Sequence, residues 1–354
     1  MSATIDHAQW AKAYINEIEK FKDQISNKKI TSIFFGGGTP SLMEPSTVQT
    51  IIDHICKMAS VSNETEITLE TNPTSYEAEK FEAFKLAGIN RVSIGIQSLN
   101  DEDLKFLGRE HSSTEAINTI ESAANIFDNY SFDLIYSRPK QTIANWQAEL
   151  AAALKLAQNH LSLYQLTIEK GTKFYSMHQA KEFIMPSDNL SYQLFQLTKE
   201  MLEEAGLKRY EVSNFAKNDK ESKHNLCYWQ YDEYLGIGPG AHSRTNNTAA
   251  HQIYHPGNWL KAAFEKNSAN QQQEALTDEQ IYNEILLMGL RLTKGISFAK
   301  LAKKIPHFQQ YLTKEKLAAL ESNKLIATSA ERFYVTEFGM PKLNKIIEFL
   351  ACVN

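Results

Sequence analysis

Three polar side chains stand at or near the ends of short apolar stretches and carry groups suited to ligand binding. Glu70 closes EITLE, Gln97 follows RVSIGI, and Asp133 lies within SFDLIY. Arg109 stands further along, in FLGREH. A guanidinium pairs with a carboxylate through two hydrogen bonds, Glu accepts from an ammonium, and Asp or Gln holds sugar hydroxyls. This set therefore predicts a receptor for a zwitterionic or hydroxyl-rich ligand.

A glycine-rich turn adds to this set. In ITSIFFGGGTPSLM, residues 30–43, the glycines 36, 37 and 38 and then Thr39 follow an apolar run. A backbone with so few side chains lets a ligand come close to the main chain. The turn lacks the Gly-Lys-Ser/Thr of a P-loop, and GIGPGA, residues 236–241, lacks the spacing of a dinucleotide fingerprint. Each feature taken alone fits an ordinary turn or surface ion pair; together they favour a binding site.

Alternating strand-like and helix-like segments predict the elements that position these residues. The strand-like segments are 30–35, 66–70, 91–96, 131–136 and 161–168, and the helix-like ones lie near 46–58, 76–87, 114–127 and 143–157. Apolar strands that alternate with helices predict an α/β fold, with a parallel sheet covered by helices. Such sheets carry their active residues at the carboxyl ends of the strands.

The second half of the chain has a different organisation. Residues 224–244, HNLCYWQYDEYLGIGPGAHSR, are rich in glycine and aromatic residues, and the polar segment 265–280 is interpreted as a linker or loop. Two helix-like segments and a hairpin-like one then predict a small, mostly α, winged-helix-like domain. The predicted boundaries are 1–29 for an N-terminal helical segment, 30–216 for the α/β part, 217–264 for the glycine-rich region and 265–354 for the C-terminal domain.

Composition excludes several classes of protein. The chain has 354 residues, 42% of them hydrophobic, and a formal net charge of -5. That charge argues against a nucleic-acid or anionic-membrane surface, and no apolar run approaches the roughly 20 residues of a membrane span. The three cysteines, Cys56, Cys227 and Cys352, are too scattered for a local metal-ligand cluster. We expect a cytoplasmic protein that binds no nucleic acid; the oligomeric state is not predicted.

Taken together, the motifs resemble a known family. FFGGGTPSLM, ETNP, GINRVSIGIQSLNDEDLKFLGREH, FDLIY, HLSLYQLTIEKGT and GIGPGAHS are similar to the oxygen-independent coproporphyrinogen oxidase branch of the radical S-adenosylmethionine (SAM) superfamily. Within that branch, HNLCYW resembles the His-Asn-x-x-Tyr-Trp signature of HemW-type heme chaperones. The resemblance implies a partial (β/α)6 barrel that holds SAM and a [4Fe-4S] cluster.

The resemblance also assigns roles to residues. It implies that the glycine turn contacts the methionine part of SAM and that further polar residues contact the rest of it; these are Gly37, Gly38, Thr39, Glu70, Gln97, Arg109 and Asp133. It implies that His224, Asn225, Tyr228 and Trp229 bind heme, with His224 as a candidate axial ligand of the iron. From residue types alone, a turn capped by His224 and Asn225 with packed aromatic side chains explains HNLCYW better than heme binding does.

Two departures from the family pattern stand out. Family members begin with a strand that leads into Cys-x-x-x-Cys-x-x-Cys, whereas Met1 here is followed by SATIDHAQW, which resembles the segment after that motif. We therefore expect no cluster, no radical chemistry, no first barrel strand, and an edge position for ITSIFF. Arg138, in YSRPKQT, stands where the family usually has an apolar residue, which affects the expected local loop.

The leading hypothesis is a HemW-like protein that binds heme and transfers it to respiratory-type acceptor proteins, with peripheral membrane contact through those partners. The alternatives are an oxygen-independent coproporphyrinogen III dehydrogenase, a truncated remnant without function, and a scaffold that only binds partners. An incorrect start codon, a decayed gene and a genuine cluster-free protein all remain open.

Overall fold

The computed structural model describes residues 5–26, 28–265 and 269–352. The chain forms two compact units. Unit 1 combines Met1–Ile33, Met43–Glu66 and Ser222–Asn354, and unit 2 combines Phe34–Leu42 and Ile67–Glu221. Residues 1–4 and 27 of the predicted N-terminal segment, and 266–268 and 353–354 of the predicted C-terminal domain, lie outside the described residues. The predicted domain boundaries stay a prediction.

A seven-stranded sheet carries most of the motifs. Its strands are β1 (Ser32–Phe35), β2 (Glu66–Thr71), β3 (Arg91–Gln97), β4 (Tyr130–Tyr136), β5 (His160–Gln165), β6 (Lys208–Arg209) and β7 (Asn214–Ala216). The order is β1-β2-β3-β4-β5-β7-β6, with β1 at one edge. Strands β2 to β5 pair in parallel, and β7 pairs antiparallel with β5 and β6. The predicted strand–helix alternation is observed, and the far edge of the sheet is antiparallel.

Seven helices of unit 2 connect these strands. They are α4 (Ser75–Ala78), α5 (Phe81–Leu86), α6 (Asp101–Phe106), α7 (Ser113–Ile126), α8 (Ile143–Leu156), α9 (Lys173–Gln179) and α10 (Asp188–Glu204). Most begin after a Ser, Thr or Asn whose side chain accepts from a backbone N–H, and Ser112 forms a full capping box with Glu115. These caps fix where each strand-to-helix loop ends.

Unit 1 contains the remaining helices and two small sheets. The helices are α1 (His7–Glu19), α2 (Lys22–Ile25), α3 (Pro45–Met58), α11 (Lys223–Trp229), α12 (Pro256–Ala262), α13 (Asp278–Gly289), α14 (Phe298–Lys304), α15 (Lys314–Ser322) and α16 (Leu343–Leu350). The strands are β8 (His242–Thr245), β9 (Thr248–Gln252), β10 (Asn270–Ala275), β11 (Ile296–Ser297), β12 (Ile326–Thr328) and β13 (Arg332–Val335). The sheet orders are β10-β9-β8 and β11-β13-β12. Among the described residues, no helix has the length and apolarity needed to traverse a bilayer.

The predicted loop at 265–280 is wrong for residues 270–275, which form β10. This strand pairs antiparallel with β9, for example through Gln272 opposite His251. Its side chains are polar and mostly exposed, so it lacks the apolar alternation that marks a half-buried strand. Pairing along one edge holds it in place despite its composition.

Part of the core of unit 1 forms between segments far apart in sequence. Trp259 is fully buried and stacks on Trp10, with ring centroids 5.7 Å apart. The backbone N–H of Ala269 donates to Glu17 Oε2 at 3.3 Å, across 252 positions of the chain. Helix α1 is therefore held against the segment that follows β9.

Candidate functional site

The glycine turn after β1 adopts a backbone that needs glycine. Gly37 and Gly38 have φ angles of 77° and 54°, in the left-handed region that side chains disfavour. A Cβ on Gly36 would lie 2.3 Å from the ring of Phe34. The N–H of Gly37 donates to Glu70 Oε2 at 3.0 Å. The structure thus brings together the turn and the carboxylate that were predicted to share a site.

Sequence reasoning missed Glu77, a buried carboxylate next to this turn. It accepts from the hydroxyl of Ser41, from Thr71 Oγ1 at 2.6 Å and from the backbone N–H of Asn72 at 2.6 Å. These bonds tie the loop after β1 to the loop after β2. Thr74 three residues earlier matches a capping box, but nothing in the spacing indicates that Glu77 reaches Ser41.

Gln97, the last residue of β3, and Asp133, in the middle of β4, form the next pair. Gln97 has a φ of 73°, an uncommon conformation for a residue with a side chain and one that clusters at functional sites. Its Nε2 donates to Asp133 Oδ2 at 2.9 Å, and its backbone N–H donates to Oδ1 at 3.3 Å. Burial raises the pKa of Asp133 from 3.8 to about 6, while the charge of Arg109 opposes that rise.

Arg138 anchors the loop after β4. Its guanidinium is buried and pairs with Glu149, lies 3.1 Å from Asp103 Oδ2, and donates to Ser98 Oγ at 2.7 Å. Ser98 Oγ donates in turn to Glu149 Oε1 at 2.6 Å. Because Ser98 follows Gln97 directly, this network also fixes the turn that carries the strained residue. Arg138, which departs from the family pattern, therefore forms a structural ion pair.

The residues around the glycine turn and strands β2 to β4 carry chemical groups of the types that could bind SAM. The described residues supply bare backbone at Gly37 and Gly38, carboxylates at Glu70 and Asp133 suited to ammonium or ribose hydroxyls, and an exposed guanidinium at Arg109. Thr39 lies in the same turn, and its carbonyl accepts from Leu42 N–H at 3.1 Å. The role of each residue toward the cofactor stays a prediction.

The HNLCYW segment forms α11, and a carboxylate from a distant strand holds its first turn. Glu66, the first residue of β2, is buried. Its Oε1 accepts from the N–H of His224 at 3.1 Å and from Ser222 Oγ at 3.3 Å, and its Oε2 accepts from the N–H of Lys223 at 3.2 Å. A carboxylate at a helix N-terminus satisfies backbone donors and complements the helix dipole. Ser222 is the N-cap, and its Oγ accepts from the N–H of Asn225 at 3.3 Å.

Aromatic rings line the same helix. The His224 ring meets Tyr228 edge-on, with centroids 4.7 Å apart, and Tyr228 meets Tyr234 at 4.5 Å. The Arg291 guanidinium lies 4.5 Å from the centre of the Trp229 ring. One face of Trp229 is therefore already in contact with a cation.

An ion pair supports the chain just after α11. The Tyr231 hydroxyl donates to Glu284 Oε2 at 2.6 Å, and Arg244 binds the same carboxylate through two nitrogens, with Nη2 2.7 Å from Oε1. Burial raises the pKa of the Cys227 thiol to about 11, so this cysteine is held as a thiol rather than as a reactive thiolate.

No group of three or more His, Cys, Asp or Glu side chains within 5–26, 28–265 and 269–352 could hold a metal ion. The described residues therefore do not fit an iron–sulfur cluster.

Comparison with known proteins finds two domain families that match parts of the chain. Residues 6–152 match the radical SAM superfamily, and residues 276–341 match the HemN C-terminal domain. The structure is similar to coproporphyrinogen III oxidase (HemN) from Escherichia coli, a radical SAM enzyme. The TM-score is 0.80 at 20% identity, over 97% of this chain and 83% of that one. At that identity the likeness shows the fold, and it confirms the predicted α/β class.

Curated relatives give a narrower assignment. The chain is 32% identical to heme chaperone HemW from Bacillus subtilis, over 88% of its own length and 82% of the relative's. It is also 32% identical to heme chaperone HemW from Haemophilus influenzae, over 94% of this chain and 86% of the relative. The chain is 36% identical to a zebrafish relative named radical S-adenosyl methionine domain-containing protein 1, mitochondrial. That match covers 84% of this chain and 69% of the relative. The chain therefore belongs to the HemW-type family of the radical SAM superfamily.

Proposed function

We propose that this protein binds heme at α11 through His224 and transfers it to heme-accepting proteins. The observation that carries the proposal is the anchored geometry of the signature helix. Glu66 fixes the backbone at His224, and Tyr228 lies against the edge of its ring. An imidazole held in this way is a suitable axial ligand for heme iron.

The HemW-type relatives, which carry the name heme chaperone, support heme as the ligand. The acceptors are proposed to be respiratory-type proteins, through which the chaperone would contact a membrane peripherally. A cytoplasmic location is likewise a proposal, because the zebrafish relative is named mitochondrial.

The group formed by the glycine turn, Glu70, Gln97, Arg109 and Asp133 is proposed to bind SAM. The glycine turn would receive the methionine part, Glu70 and Arg109 its charged groups, and Asp133 with Gln97 the ribose hydroxyls. Radical cleavage of SAM needs an electron donor, and the described residues offer no ligand set for one. The proposal for this group is therefore binding alone.

Hemin titration tests the heme proposal. The full chain should develop a Soret band that saturates near one heme per chain, and His224→Ala should weaken heme binding at least tenfold and shift the band, because the iron loses its axial ligand. His307→Ala is the matched control, since His307 is exposed and belongs to another part of the chain. Replacement of this band by the Soret band of holomyoglobin on addition of apomyoglobin would demonstrate transfer.

Two results would count against this proposal. An unchanged Soret spectrum in His224→Ala would remove His224 from the site. Conversion of coproporphyrinogen III to protoporphyrinogen IX by the full chain would favour the dehydrogenase alternative instead.

A further inference from the structure

An imidazole pair outside the proposed heme site stands on the sheet β10-β9-β8. His242 of β8 and His251 of β9 are directly opposite each other in the antiparallel register. Their ring centroids are 5.6 Å apart, with the planes at 36°. His242 is exposed and His251 is half-buried, so both rings are within reach of solvent.

Tyr254, just after β9, completes the group. Its ring centroid lies 5.2 Å from that of His251, and its hydroxyl is 3.5 Å from Nε2 of His242. Glycine makes this approach feasible, since a Cβ on Gly240 would lie 2.9 Å from the Tyr254 ring. The hydroxyl therefore stands beside the imidazole nitrogen of His242.

The separation of the two rings suits chelation. Imidazole nitrogen binds zinc at about 2.0–2.1 Å, so each ring centre would lie roughly 3.2 Å from a shared ion. Ring centres 5.6 Å apart then subtend about 120° at the ion, near the tetrahedral angle of about 109°. A heme iron held between two imidazoles needs them on opposite sides, at about 180°, so this spacing favours a free ion.

A neighbouring polar group orients one of the rings. Nε2 of His251 lies 3.1 Å from Oε1 of Gln272 on β10, and its Nδ1 lies 3.4 Å from the carbonyl of Gln252. Metal-binding histidines typically give their second nitrogen to such an acceptor, which sets the ring orientation. Gln272 can act as the acceptor for Nε2 of His251. An ion can then replace the longer contact between Nδ1 and the carbonyl of Gln252.

We propose that His242 and His251, with Tyr254 beside them, chelate a divalent first-row transition-metal cation such as Zn²⁺, Ni²⁺ or Cu²⁺. Two imidazoles and a hydroxyl are fewer protein ligands than the four of a structural zinc site. The site is therefore an exchangeable one that water completes, with affinity in the order Cu²⁺ over Ni²⁺ and Zn²⁺.

Isothermal titration of the untagged full chain with ZnCl₂ and NiCl₂ at pH 7.5 tests this proposal. We expect one ion per chain, and at least tenfold weaker binding in His242→Ala and in His251→Ala. Binding should disappear in the double variant. His307→Ala is again the control and should bind as the wild type does. Thermal unfolding in EDTA checks that the variants fold, and His251→Gln is a second variant if His251→Ala does not.

The outcomes separate this proposal from the heme proposal. Zinc affinity that is unchanged in the double variant would overturn the ion site and leave the three rings as surface packing. A loss of heme binding in His242→Ala with zinc binding intact would also overturn it. Zinc binding that survives His224→Ala but fails in His242→Ala would support it whether or not heme binds at α11.

Discussion

Gln97 and Asp133 combine two costly features on the adjacent strands β3 and β4. A positive φ at Gln97 costs of order 1–3 kcal/mol, and burial disfavours the charged form of Asp133. The strained turn is tolerated because the Arg138 network fixes the next residue, Ser98. The charge of Arg109 and the hydrogen bonds from Gln97 offset part of the cost at Asp133. The structure thus keeps a carboxyl group with a raised pKa where a ligand with hydroxyls or an ammonium is proposed to bind.

The raised pKa of Asp133 predicts how stability depends on pH. The folded-state pKa, about 6, lies above the unfolded value. The folded chain therefore binds more protons than the unfolded chain between about pH 4 and 6. As a result, the wild type loses stability as the pH rises through that window. Asp133→Asn cannot lose this proton. The difference in unfolding free energy, variant minus wild type, should therefore rise by about 1–3 kcal/mol between pH 4.5 and 7.5. Urea unfolding at several pH values measures it, and a difference that does not vary with pH would contradict the assignment.

We expect substitution of Arg138 to lower the stability of the folded chain strongly. Arg138→Leu leaves Glu149 and Asp103 without the buried guanidinium that pairs with them, and breaking a buried ion pair costs about 3–5 kcal/mol. The double variant Arg138→Leu/Glu149→Leu should recover part of this loss, because it removes a stranded charge as well. Urea unfolding of both variants decides; equal stability of the single variant and the wild type would show that the pair contributes nothing.

At the scale of elements, α11 depends on a residue that no motif contains. Glu66 lies 158 positions before His224, and sequence spacing carries no signal of such contacts. No periodic pattern predicts this helix, and HNLCYW stands out only because it resembles a family signature. The strands were easier to predict because their apolar runs are nearly continuous, as expected of a buried parallel sheet.

Glu66→Ala should weaken heme binding by changing the position of α11. The variant loses three hydrogen bonds to one carboxylate, and bonds to charged groups are each worth about 1.5–3 kcal/mol. We expect heme affinity to fall about tenfold and unfolding to become easier, with Glu66→Gln intermediate because it keeps one acceptor oxygen. Glu64→Ala is the control, since Glu64 is exposed and pairs with Lys29. Heme affinity equal to that of the wild type in Glu66→Ala would show that the anchor does not position the site.

At the scale of the whole molecule, sequence reasoning located the sheet, whereas contacts between segments far apart in sequence carry no local signal. The apolar runs near 66–70, 91–96 and 131–136 are strands within a residue or two of their predicted bounds. Unit 1, however, takes segments from both halves of the chain. A local pattern cannot show that Trp10 stacks on Trp259, because each is only an apolar residue on its own helix.

A fragment test follows from that division. Residues 222–354 made alone lack Glu66, which holds α11, and lack α1, which packs on Trp259. We expect the fragment to unfold at lower urea concentration than the full chain and to bind heme at least tenfold more weakly. Circular dichroism and hemin titration measure both. If the fragment is as stable as the full chain and binds heme as tightly, the distant segments contribute little.

The bond between Glu17 and Ala269 also has a consequence during synthesis. These residues are 252 positions apart, and ribosomes add about 5–20 residues per second. Helix α1 thus emerges roughly 10 to 50 seconds before the segment that covers its aromatic side chains. During that interval Trp10 and Tyr14 lack Trp259, so the nascent chain presents an apolar surface on which chaperones or wrong partners can bind before unit 1 is complete.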